Sequence, residues 1–282
     1  MTGLERKPRA VAIGTFDGVH LGHRAVIDAA AAVGLTTTVV TFHPHPRTVL
    51  GNRVELLSTL ERRLELLTEA GAEDVLVVEF TPELALLDPA EFTRRYLQAI
   101  GAEVVVAGAG FRFGHGRSGD LALLRQLGLD AREVPLVEGV SSSEIRRFAH
   151  EGEVQAAARL LGRPFELDGT VVSGDQRGGT LGFPTANLRV EPDLLVPEYG
   201  IYAGAAGDRR AAVSIGVNPH YGGTERRIEA FLLDWEGDLY GERLVLELWQ
   251  RLREERAFAS EQDLVAQIAR DVAQTRASER PV

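Results

Sequence analysis

The chain has 282 residues, enough for two domains that each bury a core. Its 41 acidic residues outnumber 31 basic ones, and the net charge of −10 argues against a nucleic-acid scaffold while leaving room for a local basic pocket that takes a small phosphorylated ligand. There is no cysteine, which removes disulfides, thiolate catalysis and cysteine-based zinc sites, and the single lysine, Lys7, excludes a P-loop lysine and argues against Schiff-base chemistry.

The polar Met1–Arg9 segment and the short apolar run behind it form neither a signal h-region nor a membrane span, so a cytoplasmic protein with no membrane partner is expected. Ala10–Ile13 reads as a short buried strand. Gly14 and Gly18 then permit a tight turn, and a helix continues from His20 to Val33. Positions i and i+3 share a helix face, so His20 and His23 point the same way from its first turn. The free amides and positive dipole end of a helix start favour an anion such as a nucleoside triphosphate, and two imidazoles there could hold ATP and stabilise charge building on its phosphates. The alternative is a glycine-rich turn whose histidines cap and pack.

Further strands are predicted at Thr37–Phe42, Asp74–Phe80, Val104–Ala107 and Glu133–Val137, alternating with amphipathic stretches at Thr59–Ala70, Pro89–Ile100 and Leu121–Leu127. This alternation predicts an α/β domain, Rossmann-like, with a parallel sheet that binds ligands beyond the carboxyl ends of its strands. Thr41-Phe42-His43-Pro44-His45-Pro46 would join the rim as a stiff pocket wall, a reading favoured over a metal site because no third ligand is evident. Ser141-Ser142-Ser143 caps a helix that carries Arg146 on its second turn, either as a clamp on a triphosphate or as a solvated cation beside Arg147.

The Val154–Leu161 helix ends at Gly162 and Pro164, which sets domains at 1–158 and 159–282. Strands are then predicted at Asp168–Ser173, Ile201–Ala206, Ala211–Gly216, Arg227–Asp234 and Arg243–Trp249, an antiparallel β domain read as a barrel. Ser260 and Asp263 form a capping box for a C-terminal helix with Leu264, Ile268 and Val272 on its apolar face. In Gly182-Phe183-Pro184-Thr185-Ala186-Asn187 an extended backbone directs Thr185 and Asn187 to one face, where two neutral oxygens suit a magnesium ion shared with nucleotide phosphates, unless the stretch is a plain turn. Gly174, Gly178, Gly179 and Gly182 could form a flap above them. Glu229 is the single carboxylate of Ile228–Leu233, either a base for an alcohol or a solvent-facing side chain.

Taken together, GTFDGVHLGH, TFHPHP, FRFGHGRSGD, SSSEIR, LLGRPF, LGFPTANL, NPHYG, IEAFLLD, GDLYG and LREERAF resemble, in the same order, the bacterial bifunctional riboflavin kinase/FMN adenylyltransferase (FAD synthetase) family. The resemblance implies a nucleotidyltransferase module followed by a six-stranded barrel that phosphorylates riboflavin to FMN with Mg-ATP, the first module then adenylylating FMN to FAD and releasing pyrophosphate. It implies ATP contacts at Gly14, Phe16, Asp17, Gly22, Ser142, Arg146, Gly174, Gly182, Thr185 and Asn187, with His20 and His23 serving adenylyl transfer. It also implies Mg2+ at Thr185 and Asn187, flavin contacts at Phe111, Phe113 and Phe183, and Glu229 as the kinase base. The partners implied are small molecules alone, with a homo-oligomer left open. Gly110 stands where the family has Asn or Asp, Gly179 removes an arginine of the flap and His220 replaces a threonine. The alternatives are a kinase with a re-specified first module and a non-catalytic flavin- or nucleotide-binding paralogue.

Overall fold

A computed structural model describes residues 3–174, 182–217 and 226–282. It divides into two compact units, one of residues 1–56 and 60–141, the other of 57–59 and 142–282.

The first unit is built on strands β1 (Arg9–Ile13), β2 (Thr36–His43), β3 (Asp74–Glu79), β4 (Ala102–Gly108) and β5 (Asp130–Val134), all parallel in the order β3-β2-β1-β4-β5. Between them run helices α1 (Leu21–Ala31), α2 (Pro46–Val49), α3 (Leu60–Glu69), α4 (Pro82–Ala85), α5 (Pro89–Phe92) and α6 (Leu121–Gln126). β1 is central and buried throughout, so its apolar run needs no alternation. One apolar cluster on the sheet holds Val11, Val40 and Val105, a second Ala10, Val39 and Val104, as successive strand residues point to opposite faces.

Two expectations are corrected here. The last strand lies at Asp130–Val134 rather than Glu133–Val137, because Pro135 has no N–H to extend the ladder and Leu136 is 72% exposed. Residues 89–100 are not one α-helix: α5 passes into a π-turn at Thr93–Leu97 and a 3-10 turn at Gln98–Ile100, ended by Gly101. The wider turn brings Phe92 and Leu97, five apart, into the same buried cluster.

In the second unit α7 (Ser142–His150) and α8 (Val154–Leu161) pack with the barrel core through Ile145, Ala149, Ala157 and Leu161. Strands β6 (Phe165–Val172), β7 (Ala186–Val190), β8 (Gly200–Ala206), β9 (Arg209–Val217), β10 (Arg226–Leu232) and β11 (Arg243–Arg253) close into an antiparallel barrel, order β10-β7-β6-β11-β8-β9. β7 is an added strand, since only its first residues are predicted as extended. Helix α9 (Glu261–Ala277) starts where the capping box places it, Ser260 accepting from the Asp263 N–H. Its fully buried stripe is polar, however. Gln267, Asp271 and Thr275 are buried, while Leu264, Ile268 and Val272 are only half-buried, because Arg253 and Arg256 from the end of β11 reach Asp271 and Gln267.

Tyr202 is enclosed in the barrel and donates to the Glu198 carbonyl, and burial pushes its pKa up to about 12. The folded state therefore keeps this proton longer than the unfolded chain, and the associated stability is lost as pH rises above about 10 toward 12. An ultraviolet titration is expected to show a tyrosine ionising near pH 12 that Tyr202→Phe removes.

Candidate functional sites in the two units

β1 ends in a turn whose backbone is held from below. The Gly14 N–H donates to Val40 O, and Thr15 O accepts both the Thr41 hydroxyl at 2.9 Å and the Arg63 guanidinium at 3.0 Å. Phe16 (φ 52°) and Val19 (φ 40°) take the left-handed conformation that bulky and β-branched residues avoid. Such positions cost of order 1–3 kcal/mol each and persist where the surroundings over-determine them. Both side chains, with Asp17, are buried.

His20 is the N-cap of α1 rather than part of its first turn, a one-residue correction that keeps it beside His23. Its Nδ1 accepts the His23 backbone N–H at 3.3 Å, so neutral His20 carries its proton on Nε2. The two imidazoles stack with centroids 3.6 Å apart and planes within 14°, and Phe16 meets His23 edge-on at 5.2 Å. Gly22 permits this: a Cβ there would lie 3.2 Å from the His20 ring. His23 Nδ1 is shut off from solvent without a partner. Burial, then His20, then Arg63 hold the His23 pKa well below its ordinary value, so the ring is neutral at pH 7. A neutral ring is a hydrogen-bond donor at one nitrogen and an acceptor at the other.

Sequence reasoning missed Arg63, and its signal was available. In Leu60–Glu69 it occupies the i position of an i, i+3, i+4 set with Leu66 and Leu67, a cation on the face the helix buries.

Beyond β4, a cavity of 270 Å³ is lined by Gly110, Phe111, Arg112, Asp120, Arg125 and Glu133 among others. Gly110 has φ 75°, a conformation that glycine, asparagine and aspartate adopt most readily, and no heavy atom lies within 4 Å of where a Cβ would stand. Phe111 stacks on Phe113 at 5.6 Å, and Phe113 is buried against Phe92 in the core below the cavity. His43 ends β2 before a cis peptide bond to Pro44, and His45 caps α2 by accepting from the Arg47 N–H.

In the second unit, Asn187 on β7 and Glu229 on β10 are direct cross-strand partners, and Glu229 in turn faces Ser214 on β9. Opposed residues of an antiparallel pair project to the same face. On β10 the core takes Ile228, Ala230 and Leu232, so Glu229 lies on the outer face of the barrel, half-buried, beside Asn187 and Ser214. Thr185 immediately precedes β7, two residues from Asn187. Gly174 lies just past β6, where a Cβ would stand 2.2 Å from Asn187 Nδ2, so a larger residue would displace the amide from this position. Phe183 packs edge-on against Phe231 at 5.4 Å, next to Glu229 in chain order on the same face. The exposed Gly182 has φ 84°. Ser142 and Arg146 lie on α7, Arg146 half-buried. Gly178, Gly179 and His220 fall outside the described residues.

The depressed pKa of His23 has a sign in stability. As pH falls below about 6.5 the unfolded chain binds a proton before the folded one does, so stability is lost on acidification. Urea midpoints are expected to fall between pH 7 and pH 5 more steeply in the wild type than in His23→Gln.

A riboflavin kinase family model matches residues 161–279 and an FAD synthetase model residues 4–146. A bifunctional riboflavin kinase/FMN adenylyltransferase of Listeria monocytogenes is 38% identical, covering 95% of this chain and 92% of its own. Its Bacillus subtilis and Escherichia coli K12 namesakes are 36% and 35% identical over 95% and 92% of this chain. A solved Streptococcus pneumoniae structure, described as a macrolide-efflux protein, superposes with a TM-score of 0.88 at 30% identity over 98% of this chain and 97% of that one. Among the described residues, no helix here is long and apolar enough to cross a membrane. Matched in both halves by the two family models and along its length by these relatives, the chain belongs to the bifunctional riboflavin kinase/FMN adenylyltransferase family.

Proposed function

We propose that the protein makes FMN from riboflavin in its barrel and FAD from FMN in its first unit, each with ATP, and that the residues assembled above carry the two steps. The observation that supports this most directly is that each unit holds its own set of groups: a stacked histidine pair at a helix start in one, and an amide opposite a carboxylate on the outer barrel face in the other.

For adenylyl transfer, the ATP phosphates lie at the start of α1, where the first amides and His20 Nε2–H offer donors. His23, neutral beforehand, hydrogen-bonds the same phosphates and stabilises charge as the FMN phosphate attacks the α-phosphorus and pyrophosphate leaves. Gly14, Phe16, Asp17 and Gly22 shape this turn, and Ser142 and Arg146 are carried as further ATP contacts from the family resemblance. Phe111 and Phe113 are assigned to the flavin, Phe111 as the ring at the cavity and Phe113 as its support. Gly110 keeps the backbone conformation that asparagine would adopt and gives up only its side chain.

For phosphoryl transfer, Glu229 takes the proton of the ribityl 5′-hydroxyl as that oxygen attacks the γ-phosphorus and the bond to the bridging oxygen breaks, releasing ADP. Asn187 and Thr185 offer neutral oxygens beside that carboxylate, a donor set that fits Mg2+ bound together with ATP phosphates, and the cleared space at Gly174 keeps the Asn187 amide free to serve it. When bound, the ion neutralises phosphate charge. Phe183, with Phe231, walls the acceptor side, and Gly174 and Gly182 flank the nucleotide. The functional boundary is set at 158/159, between the segments matched by the two family models. The enzyme works in the cytoplasm on small molecules, without nucleic acid or membrane, and a homo-oligomer is compatible with it.

Riboflavin, ATP and Mg2+ given to the full chain are expected to yield FMN, then FAD and pyrophosphate, read by mass spectrometry. Glu229→Gln is expected to slow FMN formation by about a hundredfold or more while sparing conversion of supplied FMN, and His23→Ala to do the reverse. Joint loss in either folded variant contradicts two separate sites. Gly174→Ala, whose backbone angles any residue accepts, is expected to raise the kinase KM for ATP by about tenfold through the Asn187 clash alone.

A further inference from the structure

Arg63 is a buried charge that the chemistry above does not use. It is 3% exposed, and one hydrogen bond from its guanidinium reaches Thr15 O at 3.0 Å, while its Nε is buried with no partner. An arginine kept only for stability is expected to have its donors satisfied, because desolvating the charge is otherwise costly. The carbonyl it holds belongs to the turn that forces Phe16 and Val19 into the left-handed region, and the Thr41 hydroxyl holds the same oxygen from β2. A trans peptide is planar, so fixing Thr15 O also fixes the Phe16 N–H in the opposite direction. The groups that bear on His23 are His20 stacked on it from the helix cap and Arg63 from α3, with Asp17 in the turn acting on Arg63 in the opposite sense.

We propose that Arg63 is a positioning residue for adenylyl transfer: it clamps the Thr15 carbonyl so that the start of α1 and its two imidazoles meet the ATP phosphates. The inference rests on the reading of this unit as the adenylyltransferase. Arg63 acts through the turn and through His23, not on the reacting atoms. Two separable contributions follow, one from the hydrogen bond that Thr41 shares and one from the charge that Thr41 lacks.

The test uses the full chain as Arg63→Met, Arg63→Lys and Thr41→Val, with three readouts: KM for ATP in FAD formation from supplied FMN, the NMR titration of the His23 ring, and the rate of FMN formation as a control on folding. In Arg63→Met the KM is expected to rise about ten- to a hundredfold, and the His23 titration to move up while burial and His20 still hold it below its ordinary value. Arg63→Lys is expected to recover part of the KM and to keep the titration low. Thr41→Val is expected to raise the KM with the titration unmoved, and FMN formation should be unchanged in all three. A wild-type KM in Arg63→Met overturns the inference. If Arg63→Met does not fold, a wild-type KM in Thr41→Val overturns it instead. Failure of the underlying reading shows differently, as wild-type protein that forms no FAD from FMN.

Discussion

The buried guanidinium of Arg9 is the interaction on which the first unit depends. It is 1% exposed and donates to Ile100 O at 2.9 Å, Thr38 Oγ1 at 2.8 Å, Asp74 at 2.5 Å and Glu5 O at 2.8 Å. Those partners belong to β2, β3 and the segments that lead into β1 and β4, so one side chain ties the lower edge of four adjoining strands. The Asp74 carboxyl, bonded by Arg9 first and by Lys7 second, is held below the usual carboxylate range. With its near end fixed and its length buried, β1 delivers Gly14 to a set position, and the turn beyond it has a fixed base.

Two buried arginines thus flank one strand with different degrees of satisfaction. Arg9 uses each of its nitrogens, as the cost of desolvating a charge requires. Arg63 retains an unpaired Nε beside a neutral histidine with an unpaired Nδ1. Unsatisfied buried polar atoms are few in folded proteins; among the described residues they are His23 Nδ1, Arg63 Nε and Arg251 Nε, and the first two belong to residues that bear on the strained turn after β1.

Much of this was legible beforehand. Strand and helix alternation gave the parallel sheet, and HxGH after a buried strand gave the helix start, because apolar period and capping chemistry are local. The capping box at Ser260 was readable for the same reason. Features fixed by distant partners were not. The polar stripe of α9 depends on Arg253 bonding Asp271 across 18 positions, and apolar periodicity pointed to the neighbouring face. The π-turn at Thr93–Leu97 answers to the core around Phe92. Gly174 reads in sequence as a flap glycine, whereas its reason is the amide thirteen residues later. Asn187 and Glu229, 42 positions apart, could be named singly as oxygen donors, but only strand pairing sets them opposite each other.

That pairing carries a further consequence. The barrel is closed, and sliding β7 against β10 by one residue would turn Asn187 inward and Leu188 outward while β9 keeps Glu229 on the outer face. The separation of the two groups is therefore quantised by the ladder and cannot drift by small steps. Over evolutionary time this face can be retuned by exchanging side chains in place or by reshaping the connections between strands, while the spacing of its amide and carboxylate is inherited with the barrel itself.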